Sequence, residues 1–176
     1  MRALSRAISA YVCEFEELDE QEQALLLVAA DARTHAQAPY SHYLVGAAVL
    51  DGDGHITAGC NVERCTYTQT THAEQAAVDA MVVHGKSKKI RAVAVVAGPE
   101  GIVGKSIENF PKGEVVTVFD KIPAPSCGHC LQIIWENCGG DNKVKLYSWD
   151  DGWVYITTIG DAFPMKFGPE DLGIEL

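Results

Sequence analysis

Hydrophobic and polar positions change period several times along this chain, and each change marks an element. Asp19-Glu20-Gln21-Glu22 reads as a helix start, an acidic N-cap with Glu three residues later. The Ala/Leu-rich stretch that follows is expected to run to Gln37, with Pro39 stopping it. Leu44 to Leu50 is a short apolar run, Asp51-Gly52-Asp53-Gly54 is a strong turn signal, and His55 to Val62 can return antiparallel as the second arm of a hairpin. His72 to about His84 is Ala-rich with apolar residues at helical spacing. Arg91 to Ala97 reads as a buried strand. Cys127 to about Cys138 suits a helix with Ser126 as N-cap, and Lys143 to Ser148 and Trp153 to Thr158 are two further strands. The order helix, hairpin, helix, strand, helix, strand, strand predicts an α/β sandwich with one mixed sheet covered by helices.

The irregular stretch from Gly98 to Pro125, rich in proline and glycine, reads as an inserted loop at about 98–124, with a short strand expected at Glu114 to Phe119. Residues Met1 to Leu18 carry no clear pattern; a helix packing on a partner is the expectation there. With 176 residues the prior is a single domain, 1–176.

Charge narrows the partners. The net charge of -10 repels a phosphate backbone, and Lys86, Lys88 and Lys89 form the only small basic cluster, so a small uncharged substrate is favoured over nucleic acid. No apolar run approaches a membrane span, and the N-terminus lacks the pattern of a signal peptide. Six cysteines in such a chain fit a reducing, cytoplasmic setting, where a close Cys pair points to metal or catalysis rather than a disulfide.

Two short elements carry candidate chemistry: His72-Ala73-Glu74 and Cys127-Gly128-His129-Cys130. Cys127 and Cys130 share one face at a helix start, where exposed N–H groups and the helix dipole lower thiol pKa values. Two thiolates and the His72 imidazole make a three-ligand zinc site with an open position for water, and the charges sum to zero. At helical spacing Glu74 points away from the ligand direction, yet it can stand beside the open position as a proton carrier. Each piece also has a plainer reading. Thr71 to Glu74 matches a capping box. The CxxC matches a redox pair, or half of a structural zinc site that would need Cys60, Cys65 or His129 as fourth ligand.

The two elements together match the zinc-deaminase signature, H-x-E followed by P-C-x-x-C with the Glu as acid/base. The chain resembles the cytidine deaminase family in further segments. Tyr40-Ser41-His42-Tyr43-Leu44-Val45-Gly46-Ala47-Ala48 resembles the family's Y-S-x-F-x-V-G-A-A, and Gly59-Cys60-Asn61-Val62-Glu63 its G-x-N-V-E strand. Phe167-Gly168-Pro169-Glu170-Asp171-Leu172 resembles a C-terminal F-x-P-x-D-L segment. The resemblance covers about 39–85 and 125 to the C-terminus.

It implies a cytidine deaminase-like three-layer sandwich around a mixed five-stranded sheet, and a zinc-dependent enzyme of pyrimidine salvage that hydrolyses the 4-amino group of cytidine or deoxycytidine. By the same resemblance, His72, Cys127 and Cys130 hold zinc and Glu74 shuttles protons. Asn61 and Glu63 hydrogen-bond the sugar hydroxyls, the Ala73 N–H faces the 2-oxo group, and Tyr43 replaces a Phe beside the base or sugar. A homo-oligomer is implied, a tetramer before a dimer, with Phe163 and Phe167 reaching a neighbour's site.

Three departures bear on the substrate. Ser126 separates Pro125 from Cys127, Leu131 stands where an Arg usually precedes Gln132, and His72 and Cys127 are farther apart than the family's usual interval. Ser126 and the long loop keep open a modified cytosine nucleoside, including a nucleoside antibiotic, as substrate. The non-enzyme alternative is an inactive zinc-stabilised binding protein, which would not require Glu74. Gln75 follows Glu74 where members with three thiolate ligands often carry Arg; the neutral donor set here needs no such cation.

Overall fold

The computed structural model describes residues 7–85, 87–100, 125–150 and 153–174. Six strands form one mixed sheet: β1 (Ala10–Glu14), β2 (Tyr43–Asp51), β3 (Ile56–Cys60), β4 (Ile90–Pro99), β5 (Lys145–Asp150) and β6 (Trp153–Thr158), in the order β1-β6-β5-β4-β2-β3. Only β4 and β5 run parallel. The helices are α1 (Glu20–Arg33), α2 (Ala73–His84), α3 (Gly128–Asn137) and the single turn α4 (Ile159–Ala162).

Alternation along the strands separates two cores. Ala48, Leu50, Ala94 and Val96 face α1, where Leu25, Leu26 and Ala29 are fully buried. Ala47, Val49, Val93 and Val95 face the opposite way, onto Ala77, Val78 and Met81 of α2 and Ile134 and Trp135 of α3. The result is the expected three-layer sandwich, with α2 and α3 on one face. The sheet has six strands rather than five. The additional one, Ala10–Glu14, lies where a partner-binding helix was expected, and its pairing to β6 runs from Ala10↔Thr157 to Glu14↔Trp153. Ala10 and Val12 bury against the sheet while Tyr11 faces out, a period of two over only five residues.

Helix ends follow local chemistry. Asp19 caps α1, accepting from the Glu22 N–H at 2.8 Å while the Glu22 carboxylate bonds back to the Asp19 N–H at 3.2 Å. The helix ends at Arg33 instead of Gln37. Arg33 is buried there, its guanidinium bonding the carbonyls of Leu44, Gly98 and Pro99 at 3.2, 3.0 and 2.9 Å, so it pins α1 to β2 and β4. Gln37 instead forms an isolated bridge with Val62. The N-cap of α3 is Cys127, not Ser126, and that of α2 is His72, which excludes a capping box from Thr71 to Glu74. Strand β4 continues through Gly98 and Pro99, shortening the expected loop from its N-terminal side. The strand expected at Glu114 to Phe119 lies outside the described residues, as does Lys86 of the basic cluster.

Two glycines set how closely helices approach the sheet. A Cβ on Gly46 would stand 2.0 Å from the Ala29 carbonyl of α1, and one on Gly59 2.4 Å from the Ala77 nitrogen and 2.5 Å from the Ala73 carbonyl of α2. All of these are backbone atoms that cannot rotate away. Gly59→Ala is expected to destabilise the protein by about 3 kcal/mol, in the upper range for overpacking; the fall in the urea midpoint measures it, and an unchanged midpoint contradicts the contact.

Glu22 also accepts from Lys145 Nζ at 2.7 Å and Tyr147 Oη at 2.5 Å. Partial burial raises its pKa, but the bonds from Lys145, Tyr147 and the Asp19 backbone outweigh this and hold the carboxyl below the usual range. A depressed folded-state pKa contributes stability above the unfolded value that is lost as pH falls through the folded one. The Glu22→Gln variant is therefore expected to lose less stability than the native chain between neutral and acidic pH, read as two melting-temperature profiles.

Candidate active site

The chemistry-bearing residues converge where α2 and α3 begin. Each helix has a donor residue at its N-cap in extended conformation, His72 (φ -79°, ψ 151°) and Cys127 (φ -72°, ψ 166°), and neither cap makes a side-chain hydrogen bond to its own helix. His72 Nδ1 lies 3.4 Å from Cys127 Sγ and 3.4 Å from Cys130 Sγ, and the two sulfurs are 3.7 Å apart. Zn–S of about 2.3 Å and Zn–N of about 2.0–2.1 Å at a tetrahedral angle give edges of about 3.8 Å between sulfurs and about 3.6 Å between sulfur and nitrogen. The three donors thus form one face of a zinc-sized tetrahedron, and the residues fit that ion.

Among the described residues, no fourth side chain joins this group; Cys60, Cys65 and His129 are not part of it. Among the described residues the geometry is that of an open, three-ligand site. Glu74 is 5% exposed, in the first turn of α2, and its charge acts on the buried Cys130 thiol. The electrostatics of Cys130 differ from the sequence expectation. Its side chain is fully buried, and burial, followed by the charges of Glu74 and Cys127, pushes the thiol far up, against the expected lowering by the helix start.

Beside the donor group lies an open cleft of about 280 Å³ lined by Ser41, Tyr43, Val45, Asn61, Glu63, Thr70, His72, Ala73 and Glu74. All four residues expected to meet substrate are there. Asn61 is buried and held at both ends: its Oδ1 accepts from the Val45 N–H at 2.8 Å and its Nδ2 donates to the Tyr43 carbonyl at 2.9 Å. One amide N–H remains for a ligand. Glu63 is occupied on both oxygens, accepting from the N–H groups of Tyr40 (2.9 Å) and Ser41 (3.1 Å) on one and the Ser41 hydroxyl on the other. Those bonds, the Ser41 hydroxyl first, hold its carboxyl below the usual range. Tyr43 presents an exposed ring at the cleft.

Ser41, Val45 and Thr70 are the lining residues that sequence reasoning missed. Ser41 lay within a quoted motif, but nothing in the sequence signalled that Glu63 binds it. Two of the three departures from the family pattern, Leu131 and Ser126, fall away from the cleft, and the long interval between His72 and Cys127 lies mostly outside the described residues. Leu131 packs in the core beneath α3, and Ser126 lines a separate apolar cavity of about 230 Å³ with Pro125, Val93 and Leu146. Phe163 is partly buried against the core, whereas Phe167 is 59% exposed.

The chain is similar to known proteins in sequence and fold. The family model for the cytidine and deoxycytidylate deaminase zinc-binding region matches residues 19–146. A cytidine deaminase of Sporosarcina psychrophila is 35% identical over 150 residues, 85% of this chain and 93% of that one. One of Halalkalibacterium halodurans is 33% identical over 150 residues, 85% and 96% of the two chains. The crystal structure of cytidine deaminase from Burkholderia pseudomallei superposes with a TM-score of 0.63 at 29% identity, over 85% of this chain and 100% of that one.

Thiolate ligation requires the Cys130 proton to leave, so zinc uptake is expected to release protons and to tighten as pH rises. Competition against a chromophoric chelator at about pH 6 and about pH 8 measures this; equal affinity at the two would contradict a protonated thiol in the metal-free site.

Proposed function

We propose residue-level roles for a chain that belongs to the cytidine and deoxycytidylate deaminase zinc-binding family and that carries out zinc-dependent hydrolytic deamination of cytidine. The reaction consumes one water and converts the 4-amino group to a carbonyl, releasing ammonia. Zinc, when bound, lowers the pKa of a water and so supplies the nucleophile at neutral pH. His72 Nδ1, Cys127 Sγ and Cys130 Sγ would hold it; the observation that carries the assignment is their near-tetrahedral spacing.

Glu74 takes the proton of the attacking water, delivers it to ring N3, and then carries a proton to the leaving amine. Its burial beside Cys130 keeps the carboxylate at the donor group and away from bulk water. The Ala73 N–H donates to the 2-oxo group and Tyr43 lays its ring against the base or sugar. The remaining Asn61 amide N–H donates to a sugar hydroxyl, and ionised Glu63 accepts from one. Because both of these side chains also hold the 40–45 backbone, sugar recognition and cleft shape are coupled. Cytidine and deoxycytidine are the proposed substrates: Asn61 and Glu63 line the cleft, while Ser126, which with the long insertion raised a modified nucleoside, lies outside its lining.

The proposal extends to the setting. The chain is read as one domain, 1–176, with an insertion now bounded to about 100–124; all described strands joining one sheet supports this. No described helix is long and apolar enough to cross a membrane, and a zinc–thiolate centre with free cysteines suits cytoplasmic pyrimidine salvage. Exposed Met165, Phe167, Leu172 and Ile174 on the C-terminal segment support a homo-oligomer, tetramer or dimer. Light scattering at a monomer mass would remove that part.

Ultraviolet absorbance of zinc-loaded protein with cytidine and with deoxycytidine tests the function. The native chain is expected to convert both to the uracil product, while Glu74→Ala keeps stoichiometric zinc and loses at least about 100-fold in kcat. Conversion of neither nucleoside, with zinc bound, would overturn cytidine and deoxycytidine as substrates. Unchanged turnover in Glu74→Ala would remove Glu74 from the mechanism.

A further inference from the structure

His72 also borders a second opening, a polar cleft of about 430 Å³ lined by residues 67–72 together with Gln75 and His129. Two of these, Gln75 and His129, have no role in the chemistry above. A metal-binding histidine almost always donates its other ring N–H to a carboxylate, carbonyl or water, and this second bond fixes the ring. With Nδ1 of His72 facing the two sulfurs, Nε2 is the atom left for such a bond, and it makes none to any described residue. Among the described residues, the ring's orientation is supported by a neighbouring ring. The His129 ring stands against it, centroids 5.2 Å apart and planes at 58°, within the tilted geometry aromatic pairs prefer. His129 is itself exposed and would rotate freely, but its Nε2–H donates to Gln75 Oε1 at 3.2 Å. Gln75 lies on α2, the helix His72 caps; His129 lies between Cys127 and Cys130 on the other side of the donor group.

We propose that Gln75 and His129 form a clasp across the two helix starts that holds the His72 imidazole in its ligating orientation, making both positioning residues for the metal. The clasp rests on the zinc-site assignment above. Its action is conformational: it limits how readily His72 swings off, so its signature is metal retention rather than a change in the reaction itself. Gln75 acts only through His129, which predicts non-additivity within the pair.

The test is zinc release from the holoprotein into excess chromophoric chelator. His129→Ala, which removes both the ring contact and the hydrogen bond, is expected to release zinc about 2- to 10-fold faster, the effect expected from losing one aromatic pair contact. His129→Phe keeps a ring against His72 and is expected to fall between His129→Ala and the native chain. Gln75→Ala alone is expected to accelerate release, and to add nothing in the His129→Ala background. Melting temperatures of the metal-free variants should match the native chain, since His129 is exposed and the pair closes no core. Native release rates in His129→Ala, or an undiminished Gln75→Ala effect without His129, would overturn the clasp. Failure of the underlying assignment is a separate result: the native protein itself would not hold one zinc per chain.

Discussion

The constraint on which the structure depends is that two helices must begin at one point with metal donors at their caps. An N-cap position usually holds Ser, Thr, Asp or Asn, whose side chain satisfies a free N–H of the first turn, a bond typically worth about 1 kcal/mol. His72 and Cys127 occupy those positions without making that bond. Their side chains turn instead toward each other across the gap between α2 and α3. Each helix start thus forgoes local stabilisation, and its positive end faces a site where two thiolates gather on metal binding. The same N–H groups that remain uncapped by side chains are available to a ligand, as proposed for Ala73.

Holding such starts in place falls to the sheet. Gly59 lets β3 touch the backbone of α2 at Ala73 and Ala77, so the helix carrying His72 and Glu74 is fixed by direct backbone proximity. On the opposite face Gly46 does the same for α1, and Arg33 then ties the end of α1 to the β2 and β4 carbonyls. Leu131 and Ile134 anchor α3 in the core that Val93 and Val95 share with α2. The donor geometry is therefore set by two helices resting on adjacent strands, and its precision is that of a close-packed interior.

The sequence was most informative where a local rule decides the outcome. The reciprocal Asp19–Glu22 cap and the turn at Asp51 to Gly54 act over a few residues and are found as read, and the two donor motifs do bring His72, Cys127 and Cys130 into one group. Asp51 adds a detail consistent with its turn role: fully buried, it accepts from the Asp53 and His55 N–H groups at 2.9 Å each. Non-local features were less legible. Ala10–Glu14 has no flanking turn signal, and it is a strand because β6 offers an edge about 140 residues later, a pairing that only the folded sheet creates. The thiol of Cys130 likewise responds to burial, which the sequence does not reveal, more than to its place at a helix start.

The side chains of the cleft show why motif and mechanism cannot be equated. Asn61 and Glu63 were read as sugar-binding groups, and each spends most of its hydrogen-bonding capacity on the chain between Tyr40 and Val45. That segment contains His42 at φ 55°, a left-handed conformation that a non-glycine residue adopts only when held. Glu63 supplies the hold by accepting from the residues on its N-terminal side, and the Ser41 hydroxyl, accepting from the Tyr43 N–H at 3.1 Å, bridges the turn. The two residues thus shape the wall that carries Tyr43 before any substrate arrives. A hydroxyl that engages the last free donor of Asn61 or a lone pair of Glu63 meets groups already immobilised, so little further ordering entropy opposes binding.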